Sequence, residues 1–487
     1  MSVEHLDVLI VGAGISGIAA GYYLQKRSPS RNFAILEARN DLGGTWSLFR
    51  YPGVRSDSDM FTLGYSFRPW EDARSIAEGP AILEYLRATA QHFGIDRQIR
   101  FGHRVISASW SSTEDRWTIE AEVGESREPI RLTCNFLFMC SGYYSYREGY
   151  LPDFAGRDAF QGVLVHPQNW PADLDHRDRR VVVIGSGATA VTLVPALAET
   201  AAHVTMLQRS PSYILSIPAE DHAARSIRRY LPGQIGHRLV RWKNILLSMY
   251  LYRFCRRKPA EAKALLRRGL TRQLPPEMDL DTHFQPRYEP WDQRLCFVPD
   301  GDFFRALRSG LASMVTDEVE RFLPKGIQLK SGREIPADII VTATGLNLLA
   351  WGGLRLEVDG EVLEPSRCLT YRGVMLGNVP NAAFCAGYAN NSWTLRAELT
   401  AQYVCRLLNH MKRRGYSRCV ARCDLNPNVG RDLLPLMSGY VRRGSGALVK
   451  QGPQPPWIMP QNYLRDLLSL RWSRLNDGVL KFTRATR

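Results

Sequence analysis

The fold is decided near the N-terminus by residues 6–24, LDVLIVGAGISGIAAGYYL. An apolar run typical of a buried strand leads into Gly12, Gly14 and Gly17, and a helix rich in small residues follows. Glycines at this spacing permit a tight turn and bring backbone N–H groups and the helix N-terminus close to a pyrophosphate. The stretch therefore predicts a Rossmann-like dinucleotide-binding fold, with Ser16 in the same loop; a glycine turn without a ligand is the alternative.

A carboxylate after the next apolar strand indicates which dinucleotide binds. The strand NFAIL ends at Glu37, where an acid can accept hydrogen bonds from ribose hydroxyls. We expect this first site to suit FAD.

A second glycine loop lies in residues 179–210, RRVVVIGSGATAVTLVPALAETAAHVTMLQRS. After its next strand the place of the acid is taken by Gln208, and Arg209 and Ser210 follow. A guanidinium there suits the 2'-phosphate of NADPH, which an acid would repel; a surface arginine is the alternative. The residues expected at this second site are Gly185, Ser186, Gly187, Ala188, Thr189, Ala190, Arg209 and Ser210.

The two loops together predict an α/β protein with two Rossmann-like domains that bind FAD and NADPH and pass a hydride between them. Disulfide reductases of this plan need a CxxxxC pair after the first loop, but residues 37–70 contain no cysteine. The nine cysteines are scattered without a CxxC pair, so neither a disulfide framework, a zinc site nor any other metal site is expected. Oxygen is therefore the expected acceptor of the flavin electrons.

The segment between the loops, FQGVLVHPQNWP at residues 160–171, carries a resemblance. It resembles the linker fingerprint of the class B flavoprotein Baeyer–Villiger monooxygenases, and blocks such as GGTW, RYPGVRSDSDM and NNSWTL resemble mycobacterial members of that family. The resemblance implies a linker beside the active site whose histidine supports domain movement. The matching residues are Phe160, Gly162, His166, Trp170 and Pro171.

The resemblance also implies catalytic and cofactor residues. Arg294 of WDQRLC is the expected catalytic cation, and Asp57 its partner near the flavin, although an aspartate in that polar run could cap a helix. Gln293 stands where many family members have a phosphate-binding lysine, so more of that binding is expected from Arg209. Arg55 is expected on the nicotinamide side, and the remaining FAD contacts implied are Gly44, Thr45, Trp46, Ser47, Leu48 and Val105.

The reaction implied is that of an NADPH- and oxygen-consuming enzyme that converts ketones to esters or lactones through a C4a-peroxyflavin and can also oxidise sulfides or thioamides. One alternative is a flavin-containing N- or S-monooxygenase. Another is a flavin-binding, membrane-associated protein that does not oxygenate.

The expected organisation is a discontinuous FAD domain, residues 1–147 and 343–487, enclosing an NADP domain at 148–342 with a helical insertion at 211–292. Residues 225–272 of the insertion hold fourteen Lys or Arg and one Glu, and their helical spacing indicates amphipathic helices with a basic face. Such helices can lie on an anionic membrane surface or form a solvated cap over the substrate entrance.

The formal charge of +15 admits nucleic acid as a partner, but no nucleic-acid-binding motif supports it. The N-terminal apolar stretch lacks a preceding basic region and is interrupted by glycines, so neither a signal peptide nor a membrane span is expected. We expect a cytoplasmic protein, with peripheral contact on the inner face of the membrane as an option.

Overall fold

The computed structural model describes residues 3–231 and 233–484. Residues 1, 2, 232 and 485–487, which the expected domain ranges include, lie outside the described residues.

The first part of the chain builds a parallel strand–helix–strand unit and then an antiparallel meander. Its helices and strands are β1 (Glu4–Val11), α1 (Ile15–Arg27), β2 (Phe33–Leu36), α2 (Thr45–Leu48), α3 (Met60–Leu63), α4 (Gly79–His92), β3 (Ile99–Arg100), β4 (His103–Ser111), β5 (Arg116–Val123), β6 (Glu128–Met139) and β7 (Tyr144–Gly149).

The middle part contains a second parallel sheet and four consecutive helices that follow strand β11. Its elements are β8 (Val163–Val165), β9 (Arg180–Ile184), α5 (Ala188–Ala198), β10 (His203–Gln208), β11 (Ile214–Ile217), α6 (His222–Tyr230), α7 (Gln234–Arg257), α8 (Pro259–Thr271), α9 (Leu280–Phe284), β12 (Cys296–Pro299), α10 (Asp302–Arg308), β13 (Ala312–Thr316), β14 (Val319–Leu323), β15 (Gly326–Leu329), β16 (Glu334–Pro336) and β17 (Ile339–Thr342).

The last part returns to the first sheet. Its elements are β18 (Leu346–Leu348), β19 (Arg355–Val358), β20 (Glu361–Val362), β21 (Thr370–Tyr371), β22 (Met375–Leu376), β23 (Ala382–Phe384), α11 (Trp393–Arg414), β24 (Tyr416–Ala421), β25 (Arg431–Asp432), α12 (Gly439–Gly444), β26 (Lys450–Gln451), α13 (Tyr463–Asp466) and β27 (Leu480–Arg484).

The first sheet has the strand order β20-β19-β4-β5-β6-β1-β2-β3, and β23 also pairs with β6. Strands β23, β6, β1, β2 and β3 pair in parallel, and β4, β5 and the first half of β6 are antiparallel. The second half of β1, residues 8–11, and all of β2 are buried and continuously apolar, as is typical of strands covered on both faces. The parallel half carries the first glycine loop at the end of β1, and its core includes residues of α11 such as Leu399 and Val404.

The second sheet is wholly parallel, with the order β13-β10-β9-β17-β8. Helix α5 covers it with the buried side chains Val191, Val194 and Leu197. The chain leaves the first sheet through β7 and returns through β18, and these two strands pair antiparallel. The second sheet is thus inserted between two crossing strands that lie side by side.

Helices α6 to α9 occupy residues 222–284, within the stretch expected as a helical insertion. The start of that stretch is instead strand β11, which pairs in parallel with β12. In the described part of the chain no helix is both long and apolar enough to cross a bilayer.

Candidate active site

A cavity of about 830 Å³ lies between the first glycine loop and the N-terminal end of α5. Its walls come from the first sheet and its loops, from the start of α5, from Arg294 and Phe297, and from the segment that follows β18. The expected site residues that line it are Gly12, Gly14, Ser16, Glu37, Gly44, Thr45, Trp46, Arg55, Asp57, Val105, Ala188, Thr189 and Arg294.

The turn between β1 and α1 requires its glycines for close approach. Gly12 has a φ of +99°, and a Cβ there would lie 2.9 Å from the carbonyl oxygen of Cys140. A Cβ at Gly17 would lie 1.9 Å from the carbonyl oxygen of Gly12. A Cβ at Gly14 would lie 3.6 Å from the Cα of Gly44. The two glycine segments therefore form a narrow cradle that side chains would fill, which fits a pyrophosphate held by backbone N–H groups.

Glu37 lies at the end of β2 and is 7% exposed. Its carboxylate accepts hydrogen bonds from the backbone N–H of Ala13 at 2.8 Å and of Arg39 at 3.0 Å. Burial raises the pKa of Glu37, while these two backbone hydrogen bonds lower it. Each oxygen keeps a lone pair for a further donor, so the acid is suited to ribose hydroxyls and fits the dinucleotide predicted from the sequence.

The GGTW segment contributes only part of what was expected. Gly44, Thr45 and Trp46 line the cavity, whereas Ser47 and Leu48 do not appear in its lining. The Ser47 hydroxyl instead accepts a hydrogen bond from Arg39 at 2.7 Å and donates to the Gly44 carbonyl at 3.1 Å. Because α2 turns its C-terminal residues away from the cavity, Ser47 supports the loop rather than lining the site.

The second glycine loop has the same close approach to a neighbouring strand end. Gly185 has a φ of +140°, and a Cβ there would lie 2.3 Å from the carbonyl oxygen of Ala343. A Cβ at Gly187 would meet nothing within 4 Å, and Ala190 is fully buried in the sheet–helix core. The Ser186 hydroxyl accepts a hydrogen bond from that of Ser212 at 3.0 Å.

At the end of β10, Gln208 is buried, whereas the next two residues, Arg209 and Ser210, are exposed. Gln208 is buried and its amide donates to the carbonyl of His283 at 2.8 Å and to the Thr316 hydroxyl at 2.9 Å. Arg209 and Ser210 are exposed, outside the lining of the cavity. Gln208 thus packs the strand end while Arg209 stays available at the surface.

Arg294 and Asp57 form an ion pair with 3.1 Å between Nη1 and Oδ2, and both line the cavity. The helix cap in the same polar run is Asp59, which accepts from the Thr62 N–H at 3.0 Å. The helix-capping alternative therefore belongs to Asp59 and leaves Asp57 to the arginine. Burial lowers the pKa of Arg294, but the opposing charge of Asp57 and nearby tyrosines raise it overall, so the guanidinium keeps its charge.

Sequence reasoning missed a group of tyrosines around this arginine. Tyr143, Tyr144 and Tyr440 contribute to the raised pKa of Arg294, and the hydroxyls of Tyr143 and Tyr144 lie 3.4 Å apart. Burial raises the pKa of Tyr144 and Tyr440, so all their protons stay in place near neutral pH. Tyr143 and Tyr144 follow the strand-end sequence FMCSG, a signal that could have indicated them, but Tyr440 lies far along the chain.

Arg55 lines the cavity and forms an ion pair with Asp302 at the start of α10. Its side chain is 11% exposed. This arginine therefore connects the loop before α3 to the second sheet's helical layer, a contact that the sequence did not indicate.

The linker histidine joins two crossing segments. His166 Nδ1 accepts from the Gln168 N–H at 3.1 Å, so the ring proton lies on Nε2, which donates to the Gly345 carbonyl at 3.1 Å. Burial lowers the pKa of His166, and the hydrogen bond to Gly345 opposes this. His166 is not part of the cavity lining.

The other linker residues serve packing in this structure. The φ of Gly162 is not in the left-handed region, and a Cβ there would lie 2.4 Å from the Asp338 carbonyl oxygen. The ring of Phe160 packs edge-on against Phe322. Trp170 packs against the core of the second sheet, and Pro171 is exposed. Gly162 is therefore required because the Asp338 backbone lies too close for a side chain.

Two nucleotide-binding sheets that share one cavity, with a charged arginine–aspartate pair between them, define a two-dinucleotide oxidoreductase. The family model described as "Flavin-binding monooxygenase-like" matches residues 6–225. The FAD-containing monooxygenase EthA of Mycobacterium tuberculosis (strain ATCC 25618 / H37Rv) is 51% identical over 482 residues, which are 99% of this chain and 98% of that protein. The chain belongs to the family of FAD-containing monooxygenases.

Solved structures agree in fold. An oxidized steroid monooxygenase bound to NADP superposes with a TM-score of 0.79 at 22% identity, covering 99% of this chain and 100% of that one. A cyclohexanone monooxygenase from Rhodococcus sp. Phi1 bound to NADP+ gives a TM-score of 0.79 at 18% identity with the same coverage. The predicted α/β fold with two dinucleotide-binding regions is confirmed, as is the predicted class of flavin-dependent monooxygenase.

Proposed function

We propose that this protein is an FAD-dependent monooxygenase of the Baeyer–Villiger type that consumes NADPH and oxygen and converts ketones to esters or lactones. Its family membership gives the monooxygenase class. The observation that carries the finer proposal is the Arg294–Asp57 pair in the cavity that reaches both glycine loops. Sulfides and thioamides are further substrates of the same cavity.

The first glycine loop and its surroundings would hold FAD. The backbone of Gly12 and Gly14 and the N-terminus of α1 would bind the pyrophosphate, and Glu37 would accept hydrogen bonds from ribose hydroxyls. Thr45, Trp46 and Val105 line the same cavity and would contact the bound cofactor. When bound, FAD accepts a hydride from the reduced nicotinamide and passes its electrons to oxygen.

The second glycine loop would hold NADPH, with Ser186, Ala188 and Thr189 at its pyrophosphate and Arg209 and Ser210 at its 2'-phosphate. Exposed Arg209 supports this proposal because a guanidinium pairs with a phosphate in a bidentate way. Open space around Gly187 leaves room for a ligand that enters and leaves.

Arg294 supplies a permanent positive charge beside the place where oxygen-centred negative charge develops as a carbonyl compound is oxidised. A preorganised cation in a cavity with restricted solvent stabilises such charge far more than water does. Asp57 holds the guanidinium in position at 3.1 Å. His166 makes one hydrogen bond to Gly345 across the interdomain crossing, a bond that can break and reform as the two sheets move.

The test compares Arg294→Ala with Arg256→Ala, a control whose arginine pairs with Asp292 outside the cavity lining. We expect purified Arg294→Ala to retain FAD but to lose at least a hundredfold in ester formation from simple ketones, because removing one such stabilising group costs roughly that much. Arg256→Ala should stay within about twofold, because this arginine is 45% exposed and its ion pair lies outside the cavity lining. Full ester formation by Arg294→Ala would refute its role.

The same assay separates the alternatives. A wild-type protein that oxidises amines or sulfides but never ketones would be an N- or S-monooxygenase. A protein that binds FAD and reacts with NADPH but never oxygenates any organic compound would be the non-oxygenating membrane-associated protein.

We also propose a cytoplasmic protein that contacts the anionic inner face of a membrane through α7 and the C-terminal segment. Helix α7 buries one apolar face, which includes Val240, Ile245 and Met249. A second apolar surface remains exposed and continues onto residues 464–472, since Trp242 and Tyr463 pack with ring centroids 5.7 Å apart. Its exposed apolar side chains are Ile235, Leu239, Trp242, Leu246, Leu247, Tyr250, Leu464, Leu468 and Trp472.

Charge supports an anionic bilayer as the occupant of this surface. Arg238, Arg253 and Arg257 on α7 and Arg465 and Arg471 on the C-terminal segment are exposed beside the apolar side chains. Apolar and aromatic groups ringed by arginines suit the interface of a membrane that carries negative headgroups.

Flotation with lipid vesicles tests the contact. Wild type should float with vesicles of 30% phosphatidylglycerol in phosphatidylcholine and much less with phosphatidylcholine alone, since about 1 kcal/mol per basic residue comes from the anionic lipid. Leu247→Glu with Tyr250→Glu should abolish flotation, whereas the control Val362→Glu, on an exposed strand elsewhere, should not. Equal flotation of all three proteins would exclude this surface.

A further inference from the structure

Arg443 on α12 packs against Tyr150 and has no counter-charge among the described residues. Its Cζ lies 3.4 Å from the centroid of the Tyr150 ring. The guanidinium also packs against two glycines. A Cβ on Gly345 would lie 3.1 Å from Nη2 of Arg443, and a Cβ on Gly439 would lie 3.1 Å from Nη1 of Arg443. Among the described residues no acidic side chain lies within ion-pair distance of it. The guanidinium of this exposed arginine thus lies against a tyrosine ring and two glycines, with no anion beside it.

A second unpaired guanidinium, that of Arg209, lies at the same end of the second sheet. Arg443 lies against Gly345, two residues after Ala343, whose carbonyl oxygen contacts Gly185, and the Gly185 N–H donates to the Leu207 carbonyl at 2.8 Å. Arg209 follows β10 directly, is exposed, and also has no ion pair within the described residues. Burial lowers the pKa of Arg443, Tyr150 opposes this, and the like charge of Arg209 lowers it further. The charge of Arg209 also lowers the pKa of Glu318, but the Glu318 carboxylate forms its ion pair with Lys330, at 2.6 Å.

Two like charges held near each other repel, and an anion between them removes that cost. Arg443 comes from the C-terminal segment, whereas Arg209 belongs to the second sheet, so only the folded chain brings them together. The residue before the catalytic arginine is the uncharged Gln293, so it adds no cation.

We propose that Arg443 acts with Arg209 as a specificity residue that binds the 2'-phosphate of NADPH. This inference rests on the proposed function, in which the second glycine loop holds NADPH. A phosphate dianion can accept bidentate hydrogen bonds from two guanidiniums, whereas the 2'-hydroxyl of NADH offers neither charge nor the same acceptors. Tyr150 and Gly345 keep the Arg443 fork oriented, which lowers the entropy lost on binding.

Equilibrium titration of the FAD-loaded protein with NADP+ and with NAD+ tests this role. Arg443→Ala should raise the dissociation constant of NADP+ about tenfold and leave that of NAD+ within twofold, because one charge-assisted contact to phosphate is lost. The matched control is Arg442→Ala, which removes the neighbouring exposed arginine of the same helix and should leave both constants within twofold. An Arg443→Ala protein that behaves as Arg442→Ala does would overturn the proposal.

Further variants distinguish phosphate recognition from a structural effect. Arg443→Lys should recover part of the NADP+ affinity, and the double variant of Arg209→Ala and Arg443→Ala should bind NADP+ no better than NAD+. Equal weakening of NADP+ and NAD+ by Arg443→Ala would indicate a folding defect and contradict the proposal. If wild type showed no preference for NADP+ over NAD+, the proposed function itself would fail; a preference that survives Arg443→Ala would remove only this inference.

Discussion

The two glycine loops share a sequence pattern but differ in how tightly the protein closes around them. Both begin with a positive-φ glycine pressed against a neighbouring strand end, Gly12 on Cys140 and Gly185 on Ala343. The second glycine of each loop differs in its surroundings. A Cβ at Gly14 of the first loop would contact the Cα of Gly44, whereas a Cβ at Gly187 of the second loop would meet nothing within 4 Å. We propose that the first site retains its nucleotide and that the second exchanges it.

The third position of each pattern shows the same difference. A Cβ at Gly17 would lie 1.9 Å from the Gly12 carbonyl oxygen, whereas the second loop accommodates Ala190 with its side chain fully buried. The charged residue that follows the second strand of each unit also differs. Glu37 is buried and accepts from two backbone N–H groups, whereas Arg209 is exposed. The proposed function, with a tightly held flavin and a nicotinamide that binds and leaves in every cycle, requires this contrast.

The largest expected effect is on flavin content and comes from adding a methyl group at Gly17, where α1 contacts the first glycine loop. Gly17→Ala should yield protein without flavin, because the clash with Gly12 forces α1 away from the turn and overpacking of this kind costs about 1–3 kcal/mol or more. The ratio of flavin absorbance to protein absorbance after purification measures it. Gly187→Ala is the control and should keep a full complement of flavin. A yellow Gly17→Ala protein with normal thermal stability would contradict the contrast between the loops.

A smaller effect is expected from removing the charge of the buried acid. Glu37→Gln should weaken FAD binding by roughly tenfold to a hundredfold, because hydrogen bonds to charged groups contribute about 1.5–3 kcal/mol. Titration of the apoprotein with FAD, followed by flavin fluorescence, gives the dissociation constant. Glu128→Gln, at an exposed acid of the same sheet, should change nothing. If Glu37→Gln bound FAD as tightly as wild type, the ribose hydroxyls would not be recognised by Glu37.

The smallest effect concerns the linker between the two regions. The fold lowers the pKa of His166 from 6.5, so it favours the neutral ring. The unfolded chain takes up this proton near pH 6.5, and the stabilisation is therefore present above that pH and lost as the pH falls toward the lowered value. Chemical unfolding of wild type and His166→Gln should differ by about 1 kcal/mol at pH 8 and by less at pH 5.5. A difference that grows on acidification would give His166 the opposite role.

Local patterns were predictable from the sequence. The glycine turns and Glu37 at the end of β2 follow from short-range strand–turn–helix rules, and the structure brings them together at one cavity. Arg294 and Asp57 could be matched only through resemblance, since 237 positions separate them and no period connects them. Their 3.1 Å contact is a product of the whole fold.

Long-range contacts stayed hidden for the same reason. Tyr440 beside Arg294, Asp302 beside Arg55 and Arg443 beside Tyr150 come from distant segments, and nothing in their local sequence indicates the partner. The helical spacing of α7 predicted an amphipathic helix with a basic face. It did not show that apolar side chains such as Leu247 and Tyr250 stay exposed on the side away from the core.

The side-by-side crossing strands β7 and β18 have a consequence for synthesis. The core around α1 includes Leu399 and Val404 of α11, which the ribosome makes only after the whole inserted sheet. At about 5–20 residues per second this delay lasts roughly 20–80 s. We expect the inserted sheet to fold first, while the N-terminal strands remain exposed and dependent on chaperones until α11 emerges.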